Sequence, residues 1–350
     1  MSTATESRPS TVDATDPRLK DTWLRRQLIT LVVGLAVLAL LPLVLTDRVE
    51  TVAVRTLIFA IMAVGWNLMS GYGGMFSFGH AAFFGIGAYT DAYLLTEHNV
   101  SPWISMVLGA LIAAAVGSVI AYLCLRYKLA GAYFALATFA FAQMFLLLVQ
   151  NLEVFNKTEG FNIEILPSDS WAKLQFQQGS PNYFWIPLAL LGLGVLMTIL
   201  FAHSRSGQFV QAARDDETAA ASLGINAMRH RLLTVALSCG LTAVAGAYYT
   251  QYYLFVGPDQ AFGSAVSIEA IVPAVIGGIG TIWGPVIGAA IIGPLSDVVA
   301  STLRNPPPFL DFLQGTAGLD VALYAVILIA IVLFLPKGVF GSIRDRWWHR

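Results

Sequence analysis

Ionisable side chains inside long apolar runs are the residues of this sequence most able to carry out chemistry. Four of them lie about one or two helical turns from one end of their runs: Arg55, Asp91, Glu269 and Asp297. A charge within a membrane is costly, so such a residue is usually paired or functional, or it extends its head group to the interface. We expect such snorkelling to explain at least two of the four, and we expect Arg55, Glu269 and Asp297 to cluster near the outer mouth.

Catalytic and cofactor-binding groups are not indicated elsewhere in the sequence. His80 lies within an apolar run, where a hydrogen bond in the core is a more common role than metal ligation. No cluster of His, Cys and carboxylate residues has metal-ligand spacing, and no G-x-x-x-x-G-K-[ST] run supplies a phosphate-binding loop. No acid occupies a mid-membrane position typical of a proton relay, which disfavours an ion-driven carrier. The sequence therefore predicts no catalytic residue, metal or cofactor in this chain.

The polar segment 203–231, between two apolar runs, predicts a helix that contacts a partner protein. Its centre is rich in alanine, which favours a helix, and Gly224 stands where that helix would stop. Three consecutive acids would suit a helix N-terminus if the chain kinks near Arg214. A solvated linker helix is the alternative. The predicted contact residues are Arg214, Asp215, Asp216, Glu217, Ala219, Ala220, Gly224 and Ile225.

Two glycine-rich stretches, 71–89 and 277–284, predict broken helices or the lining of a path. Glycine destabilises a helix interior by about 1 kcal/mol relative to alanine, and in membranes it marks close helix packing or a break. Close packing and a cavity lining both stay open at this point. Residues 277–281 faintly echo 73–77, which would place two similar turns on one side of the membrane. The predicted path and helix-break residues are Gly71, Gly73, Gly74, Ser77, Gly79, His80, Gly85, Gly87, Tyr89, Glu269, Gly277, Gly278 and Gly280.

Composition identifies the broad class of protein. Of 350 residues, 57% are hydrophobic and 12% are charged, whereas about 25% are charged in a soluble domain. A soluble enzyme and a disordered chain are therefore both excluded. The formal net charge of −1 predicts no nucleic-acid partner, and both cysteines lie inside apolar runs, where no disulfide framework can be read. The chain is predicted to be an integral membrane protein embedded in the lipid bilayer.

Ten apolar runs are candidate membrane spans, since a helix needs about 20 residues to cross. They cover residues 28–45, 51–69, 75–95, 103–125, 131–150, 184–202, 232–255, 264–278, 285–300 and 320–335. The expected fold is an all-α polytopic bundle of about ten transmembrane helices. The eighth and ninth runs are short and rich in glycine, so these spans are expected to be broken or re-entrant. The transmembrane domain, 28–338, lies between a disordered tail, 1–27, and a basic tail, 339–350.

The positions of lysine and arginine predict the orientation of these spans. With ten spans and both termini in the cytoplasm, 15 of the 20 basic residues face the cytoplasm and 5 face outside. The acidic loop 151–183 is then external, and the basic loop 203–231 is cytoplasmic. The first run is interpreted as a retained span rather than a signal peptide, because 27 mostly polar residues precede it and no cleavage pattern follows Pro42.

The polar segment resembles the cytoplasmic coupling loop of ABC-importer permeases, whose signature is Glu-Ala-Ala, three residues and Gly. Residues 218–224 have that spacing, with Thr218 in place of the Glu and an acid one position earlier. The segment is more similar to the variant in LivM-type permeases of branched-chain amino acid importers, where an Arg, an acidic cluster, Ala-Ala and Gly-Ile-Asn follow one another. The stretches that resemble the other motifs of that family are 71–83 with 85–89, 129–138, and 267–269 with 277–285.

This resemblance, which runs from about residue 51 to 338, implies a membrane subunit that translocates branched-chain or other hydrophobic amino acids. It implies a second, LivH-like permease, two LivG/LivF-like ATPases that bind ATP and Mg, and an external solute-binding protein as partners. It also implies the cytoplasmic (inner) membrane of a bacterium. Among the ionisable residues, Glu269 is the best functional candidate, because it belongs to the late motif of the family.

Several alternative functions stay open at the level of sequence. Related permeases carry urea and amides or aromatic acids, although the mid-chain motif favours amino acids. An ion-coupled carrier would need buried coordinating groups near the midplane, and a membrane-embedded enzyme would need clustered catalytic groups at one depth. Because the spans supply few polar groups deep in the membrane, we expect a weakly binding, hydrated path, with the external binding protein choosing the substrate.

Overall fold

The structure, a computed structural model, describes residues 17–43, 46–177, 179–304 and 338, and helices make up most of these residues. The helices are α1 (Pro17–Ala39), α2 (Asp47–Asn67), α3 (His80–His98), α4 (Pro102–Arg126), α5 (Ala132–Asn151), α6 (Asn182–His203), α7 (Arg205–Asp215), α8 (Glu217–Ser222), α9 (Ala227–Tyr253), α10 (Pro258–Phe262), α11 (Ser264–Gly277) and α12 (Gly284–Arg304). Two short strands, β1 (Phe161–Asn162) and β2 (Phe255–Val256), pair in antiparallel orientation.

The predicted all-helical, polytopic membrane fold is confirmed. Seven stretches of the described chain are helical, long enough and apolar enough to cross a membrane, and α12 adds a shorter apolar helix over 284–299. The first nine predicted runs each fall on a helix, so a count of about ten is roughly consistent with the structure. The tenth run, 320–335, the basic tail, 339–350, and residues 1–16 of the predicted tail lie outside the described residues.

The first helix begins earlier than the sequence predicts. α1 starts at Pro17, so residues 17–27, assigned above to a disordered tail, are helical. Proline is favourable at the first position of a helix, and the Arg, Leu and Lys that follow it are good helix formers. Contacts with the rest of the chain also hold this segment, because Trp23 stacks on His203 and Gln27 accepts a hydrogen bond of 2.7 Å from the indole of Trp283.

Helix α6 separates two ends of the molecule that are used as references below. Its 22 residues span about 33 Å at 1.5 Å per residue. The coupling end is the end that carries residues 204–226, and the outer end is the end that carries residues 152–181. Helix α2 begins towards the outer end, since Glu50 and Thr51 line a cavity there with Leu166 and Tyr253. Helix α11 also begins there, because it follows β2, which pairs with β1 of the segment 152–181.

Helix breaks lie beside the eighth predicted run and between the second and the third, whereas the ninth run, 285–300, forms one continuous helix, α12, so the break expected there is absent. Helix α11 has 14 residues, or about 21 Å of helix, and a break at Gly263 separates it from α10. At the coupling end, α2 continues into a π-helical turn, Leu68–Tyr72, and residues 73–79 are not helical until α3 begins at His80. The third predicted run, 75–95, is therefore wrong over its first five residues, where Ser70, Ser77 and Thr138 side chains accept hydrogen bonds from the backbone of a non-helical segment.

Helix α9 forms the centre of the bundle, where it packs against α2, α3 and α4. Close packing depends on glycine at the crossing of α3 and α9. A Cβ atom at Gly87 would collide with the carbonyl group of Ala243, and one at Gly246 would collide with the carbonyl group of Phe84. Backbones of membrane helices approach this closely where the interface carries small residues, and this packing fixes the positions of the broken segments.

Helices α1, α4 and α5 present an apolar outer surface. Large apolar side chains that are more than half exposed there include Ile29, Val32, Val107, Leu111, Val119, Leu136 and Leu147. A soluble monomer rarely exposes so large an apolar surface, whereas lipid solvates it readily. We therefore expect this side of the bundle to face the bilayer, and the charged side chains of α2 and α11 to face away from it.

Candidate functional site

The segment 204–226, which we call the coupling loop after the segment that it resembles, consists of two helices with a sharp kink between them. α7 ends at Asp215, and Asp216 adopts an extended conformation before α8. One carboxylate oxygen of Asp216 accepts hydrogen bonds of 2.9 Å from the backbone N–H groups of Thr218 and Ala219. These bonds satisfy donors that a helix start leaves free. The structure thus contains the kink that the acidic cluster predicts near Arg214, and it places the kink at Asp216.

The helix stop at Gly224 is also present in the structure. Gly224 has a φ of +79°, and the backbone N–H of Ile225 donates a 3.1 Å hydrogen bond to the carbonyl of Ala220. A left-handed residue here is typical of a helix C-terminus, and glycine adopts it without strain. A Cβ atom at Gly224 would meet nothing within 4 Å of the described chain, so this corner of the loop is open to a partner.

One predicted contact residue does not face outwards. Ala220 is buried, at 3% exposure, whereas Ala219 and Gly224 are exposed. Because α8 lies against the body of the chain, one of its faces must pack inwards, and Ala220 belongs to that face. The side chain of Leu223, which the sequence argument did not single out, is 81% exposed at the end of α8. An exposed leucine beside small residues is the signal that could have identified it.

Arginine side chains attach this loop to the helices. Arg214 donates from Nη1 to the carbonyl oxygen of Gly71 at 2.7 Å, and from Nε and Nη2 to Asp215 at 3.0 Å. On the other side of the loop, Arg231 forms a 2.8 Å ion pair with Glu217 and a 3.3 Å hydrogen bond to the carbonyl of Ala213. Sequence reasoning predicted Arg214 but missed Arg231, which lies beyond the motif.

The two glycine-rich turns meet beside Arg214. Asn67 accepts a 2.7 Å hydrogen bond from the N–H of Gly280 and donates a 2.8 Å hydrogen bond to the carbonyl of Thr281. The π-helical turn, residues 278–281 and the Arg214 side chain therefore form one connected unit, which we call the coupling junction. The faint echo between 73–77 and 277–281 in the sequence corresponds to two segments on the same side of the molecule.

His80 makes the core hydrogen bonds that were expected of it. Its Nδ1 lies 3.2 Å from the hydroxyl of Ser77 and its Nε2 lies 3.0 Å from the hydroxyl of Ser238. Ser238 donates its only hydroxyl hydrogen to the carbonyl of Gly65 at 2.6 Å, so His80 must carry a hydrogen on Nε2. Within the described residues, no group of three or more His, Cys, Asp or Glu side chains could hold a metal ion.

Most of the predicted path residues pack in the core of the chain. Gly85 lies against the ring of Phe262, Gly87 against the backbone of Ala243, and Gly277 against the backbone of Gly284. The buried residues of the set are Gly71, Gly73, Ser77, Gly79, His80, Gly85, Gly87, Tyr89, Gly277 and Gly278. The structure therefore favours close packing over a cavity lining at these positions. Turns with positive φ occur at Gly74, Gly278 and Gly280, which accounts for glycine there.

Asp91 is buried, so snorkelling does not explain it. Its side chain has no exposed surface and accepts hydrogen bonds from Ser105 on α4 and Gln251 on α9. Helices α4 and α9 flank α3, and they close off the route by which the carboxyl group would reach the interface. The opposite amide atom of Gln251, Oε1, is buried without a partner among the described residues.

Two ion pairs lie at the outer end, in the region where the sequence predicts a charged cluster. Arg55 on α2 pairs with Glu269 on α11 at 2.9 Å, and their side chains are 50% and 36% exposed. Arg48 pairs with Asp297 on α12 at 3.8 Å. Arg55 and Glu269 also border a cavity of ≈ 80 Å³. The predicted cluster thus consists of two separate pairs, each with a partner on a different helix.

A larger cavity, which we call the vestibule, lies at the outer end. Its volume is ≈ 930 Å³, and the loop 152–181, the start of α2 and the end of α9 enclose it. Its described lining includes the acids Glu50 and Asp169 and contains no Lys or Arg. The carboxylates give the vestibule a negative character, which favours a ligand that carries an ammonium group.

A series of aromatic rings in contact with one another, mostly edge to face, extends from the lining of the vestibule to the ion pair of Arg55 and Glu269. Successive ring centroids are 4.5 to 6.1 Å apart, and the last ring lies 5.7 Å below the guanidinium of Arg55. The rings, which we call the aromatic track, are in order Trp171, Phe176, Tyr183, Tyr252, Tyr253, Tyr249, Phe84 and Phe59. Sequence reasoning missed the track, although four tyrosines within residues 248–253 are a signal that could have shown its centre.

A bundle of membrane-length helices with buried breaks, and with a pair of short helices attached at the coupling end, is typical of a polytopic membrane protein of the transporter type. The chain belongs to the family described as branched-chain amino acid transport system / permease component, which matches residues 48–338. The predicted resemblance to LivM-type permeases is thereby confirmed. No solved structure matches the chain.

Several curated relatives, of which three are described, carry the name high-affinity branched-chain amino acid transport system permease protein. LivM of Salmonella typhimurium is 27% identical over 275 residues, 72% of this chain and 63% of LivM. LivM of Escherichia coli K12 is 28% identical over 285 residues, 74% of this chain and 66% of LivM. LivH of Salmonella typhimurium is 29% identical over 307 residues, 81% of this chain and 91% of LivH. The match thus spans just under two thirds of the LivM relatives.

Proposed function

We propose that this chain is a membrane-spanning permease subunit of an ABC importer that carries branched-chain or other hydrophobic amino acids. The observation that carries the proposal is the coupling loop, in which an exposed short helix, α8, follows α7, and Arg214 at the end of α7 donates a hydrogen bond to the carbonyl of Gly71. An ion-coupled carrier has no use for such a helix. The names of the family and of the curated relatives support the amino-acid substrate.

The proposal assigns the energy source to other subunits. Two ATPases bind ATP and Mg, and one of them receives α8 in a surface groove. A second, LivH-like permease completes the membrane pathway, and an external solute-binding protein delivers the substrate to the outer end. The complex lies in the bacterial cytoplasmic membrane, with the coupling end and both termini in the cytoplasm. The excess of lysine and arginine in the segments on that side supports this orientation.

The coupling junction gives a physical route from the ATPase to the helices. A displacement of α8 acts on Arg214 through the short segment that joins α7 and α8. Arg214 transmits this displacement to the π-helical turn through the carbonyl of Gly71, and Asn67 links that turn to residues 280–281 by hydrogen bonds. Helices α2, α11 and α12 end or begin at these turns. A movement of the loop therefore changes the geometry between the helices that carry Arg55 and Glu269.

Substitution of Gly224 tests this proposal in the importer reconstituted with its partner subunits. Gly224→Trp forces a bulky residue into a φ of +79° and projects it into space that only a partner would occupy. We expect ATP-driven leucine uptake to be abolished while the chain still reaches the membrane. Uptake by the unaltered complex, challenged with excess isoleucine, urea or benzoate, identifies the class of substrate.

Gly224→Asn is the matched control, because asparagine tolerates the left-handed conformation better than other residues and is much smaller than tryptophan. We expect this variant to retain most of the uptake. Normal uptake by the Trp variant would show that α8 does not dock on the ATPase. If urea or benzoate, but not isoleucine, inhibits uptake by the unaltered complex, the proposed amino-acid substrate is wrong and one of the alternative substrate classes is correct.

A further inference from the structure

The ion pair of Arg55 and Glu269 leaves most of its hydrogen-bonding capacity unused. A guanidinium has five N–H donors and a carboxylate has two acceptor oxygens. One contact joins them, from Nη2 of Arg55 to Oε1 of Glu269 at 2.9 Å. Among the described residues, no other hydrogen bond to either head group is found, and both side chains are at least one third exposed. The pair is therefore open to a further charged ligand.

The surroundings of the pair select a particular kind of ligand. The ring of Phe59 lies 5.7 Å from the guanidinium carbon of Arg55, and Tyr253, 39% exposed, belongs to both the vestibule and the aromatic track. Aromatic rings offer an apolar surface to an aliphatic side chain. The guanidinium of Arg55 and the carboxylate of Glu269 match the two charged groups of an amino acid, because a guanidinium binds a carboxylate well and a carboxylate binds an ammonium group.

The exposed charges of Arg55 and Glu269 show that this part of the surface does not face lipid. Exposed charges of this kind are not stable against hydrocarbon, so they face a water-filled space or another subunit. The vestibule opens towards the same Tyr253 from the outer end. A ligand that leaves the vestibule past Tyr253, which is 39% exposed, would therefore reach Arg55 and Glu269 without crossing the apolar surface of α4 and α5.

We propose that Arg55 and Glu269 form a head-group site for a zwitterionic amino acid, and that the vestibule leads to this site past Tyr253. The proposal rests on the proposed import function and assigns a role to residues within it. The guanidinium of Arg55 binds the α-carboxylate, Glu269 binds the α-ammonium group, and Phe59 and Tyr253 contact the aliphatic side chain. The contact between Arg55 and Glu269 opens when the ligand enters.

The site binds its ligand weakly for a physical reason. Arg55 and Glu269 already neutralise each other, so entry of a zwitterion exchanges one ion pair for two and gains little net free energy. Weak binding suits a transient step between delivery and translocation, and it agrees with the expectation that the external binding protein chooses the substrate. An affinity in about the millimolar range is expected for the complex without its binding protein.

The first experiment uses the unaltered importer complex in detergent, without the binding protein and without ATP. Saturation-transfer NMR compares leucine with 4-methylpentanoate, which lacks the ammonium group, and with 3-methylbutylamine, which lacks the carboxylate. We expect a signal from leucine that is about tenfold stronger than either analogue gives, because each analogue leaves one charged partner unmatched. Equal signals from all three compounds would overturn the head-group site.

The second experiment replaces the pair and measures uptake in proteoliposomes with the binding protein. Arg55→Gln with Glu269→Gln removes both charges together, so neither is left unpaired. We expect ATP-driven leucine uptake to fall about tenfold or more, and the leucine signal in the NMR experiment to disappear. The matched control is Arg48→Gln with Asp297→Asn, which removes the other ion pair of the same region and should change uptake less than about twofold.

The outcomes separate this proposal from the proposed function. If the unaltered complex imports no branched-chain amino acid, the proposed function is wrong, whatever the variants do. If the unaltered complex imports leucine and the Arg55/Glu269 variant imports it equally well, the head-group site alone is wrong. A fall in uptake that the Arg48/Asp297 control shares to the same extent would also overturn it, because general loss of outer-end charge would then explain the effect.

Discussion

Two arginines at opposite ends of the molecule use their guanidinium groups in different ways. At the coupling end, all three nitrogens of Arg214 donate hydrogen bonds, one to the carbonyl of Gly71 and two to Asp215. At the outer end, one nitrogen of Arg55 contacts Glu269, and half of the side chain is exposed. An arginine that donates from all three of its nitrogens fixes the geometry around it, whereas one that donates from a single nitrogen can exchange partners.

The same contrast extends to the residues around each arginine. The coupling junction is built from hydrogen bonds to backbone groups, such as those of Asn67 to residues 280 and 281, and its turns are mostly buried. The outer end has exposed ion pairs and a cavity of ≈ 930 Å³. We infer that the coupling end transmits displacement as a connected unit, and that the outer end accommodates a ligand.

Gly71→Ala should have the largest effect of the substitutions that test this contrast. It adds a methyl group where the backbones of Gly71 and Gly280 come closest within the coupling junction. A Cβ atom there would lie 2.6 Å from the backbone nitrogen of Gly280 and 2.9 Å from its Cα. Neither backbone atom can move aside easily, so we expect the free energy of unfolding to fall by about 1–3 kcal/mol. The thermal midpoint of the purified complex in detergent measures this loss.

Gly34→Ala is the control for that substitution. Gly34 lies in α1, where a Cβ atom would meet nothing within 4 Å, and alanine favours a helix. We expect the thermal midpoint of this variant to stay the same or rise. A Gly71→Ala complex as stable as the Gly34→Ala complex would mean that the junction is not a close-packed unit, and the contrast between the two ends would fail.

Arg48→Gln should have the smallest effect, since it tests the outer end at a pair that lies off the aromatic track. The Arg48 and Asp297 side chains are 70% and 41% exposed, and their charged atoms are 3.8 Å apart. Such pairs contribute about 0–1 kcal/mol. We expect a change in thermal midpoint within error, at low and at high salt. A clear loss of stability that salt removes would show that the outer end is also held together by its charges.

Much of the fold can be predicted from the sequence because few backbone structures are stable within a membrane. An apolar run of about 20 residues must satisfy its backbone internally, so it becomes a helix. The kink before α8 and the stop at Gly224 could be predicted for a similar reason, since acids suit a helix start and glycine suits a left-handed stop. These features depend on residues close together in the chain.

Features that depend on distant residues could not be predicted in this way. The aromatic track joins rings from residue 59 to residue 253, and no period in the sequence connects them. The burial of Asp91 depends on α4 and α9, which supply Ser105 and Gln251. The inward face of Ala220 depends on how α8 lies on the body of the chain. Each required the packing of helices that are far apart in sequence.

The central claim is that Arg214 transmits the movement of α8 to the π-helical turn, Leu68–Tyr72, at the end of α2. The most direct test is the number of leucine molecules imported per ATP hydrolysed by the reconstituted importer, compared between the unaltered chain and Arg214→Gln. Arg229→Gln, an exposed arginine near the same loop, is the control. We expect the ratio to fall about tenfold for Arg214→Gln, because a charged hydrogen bond to the Gly71 carbonyl is lost, with ATP hydrolysis retained and Arg229→Gln unaffected. An unchanged ratio in the Arg214 variant would contradict the claim.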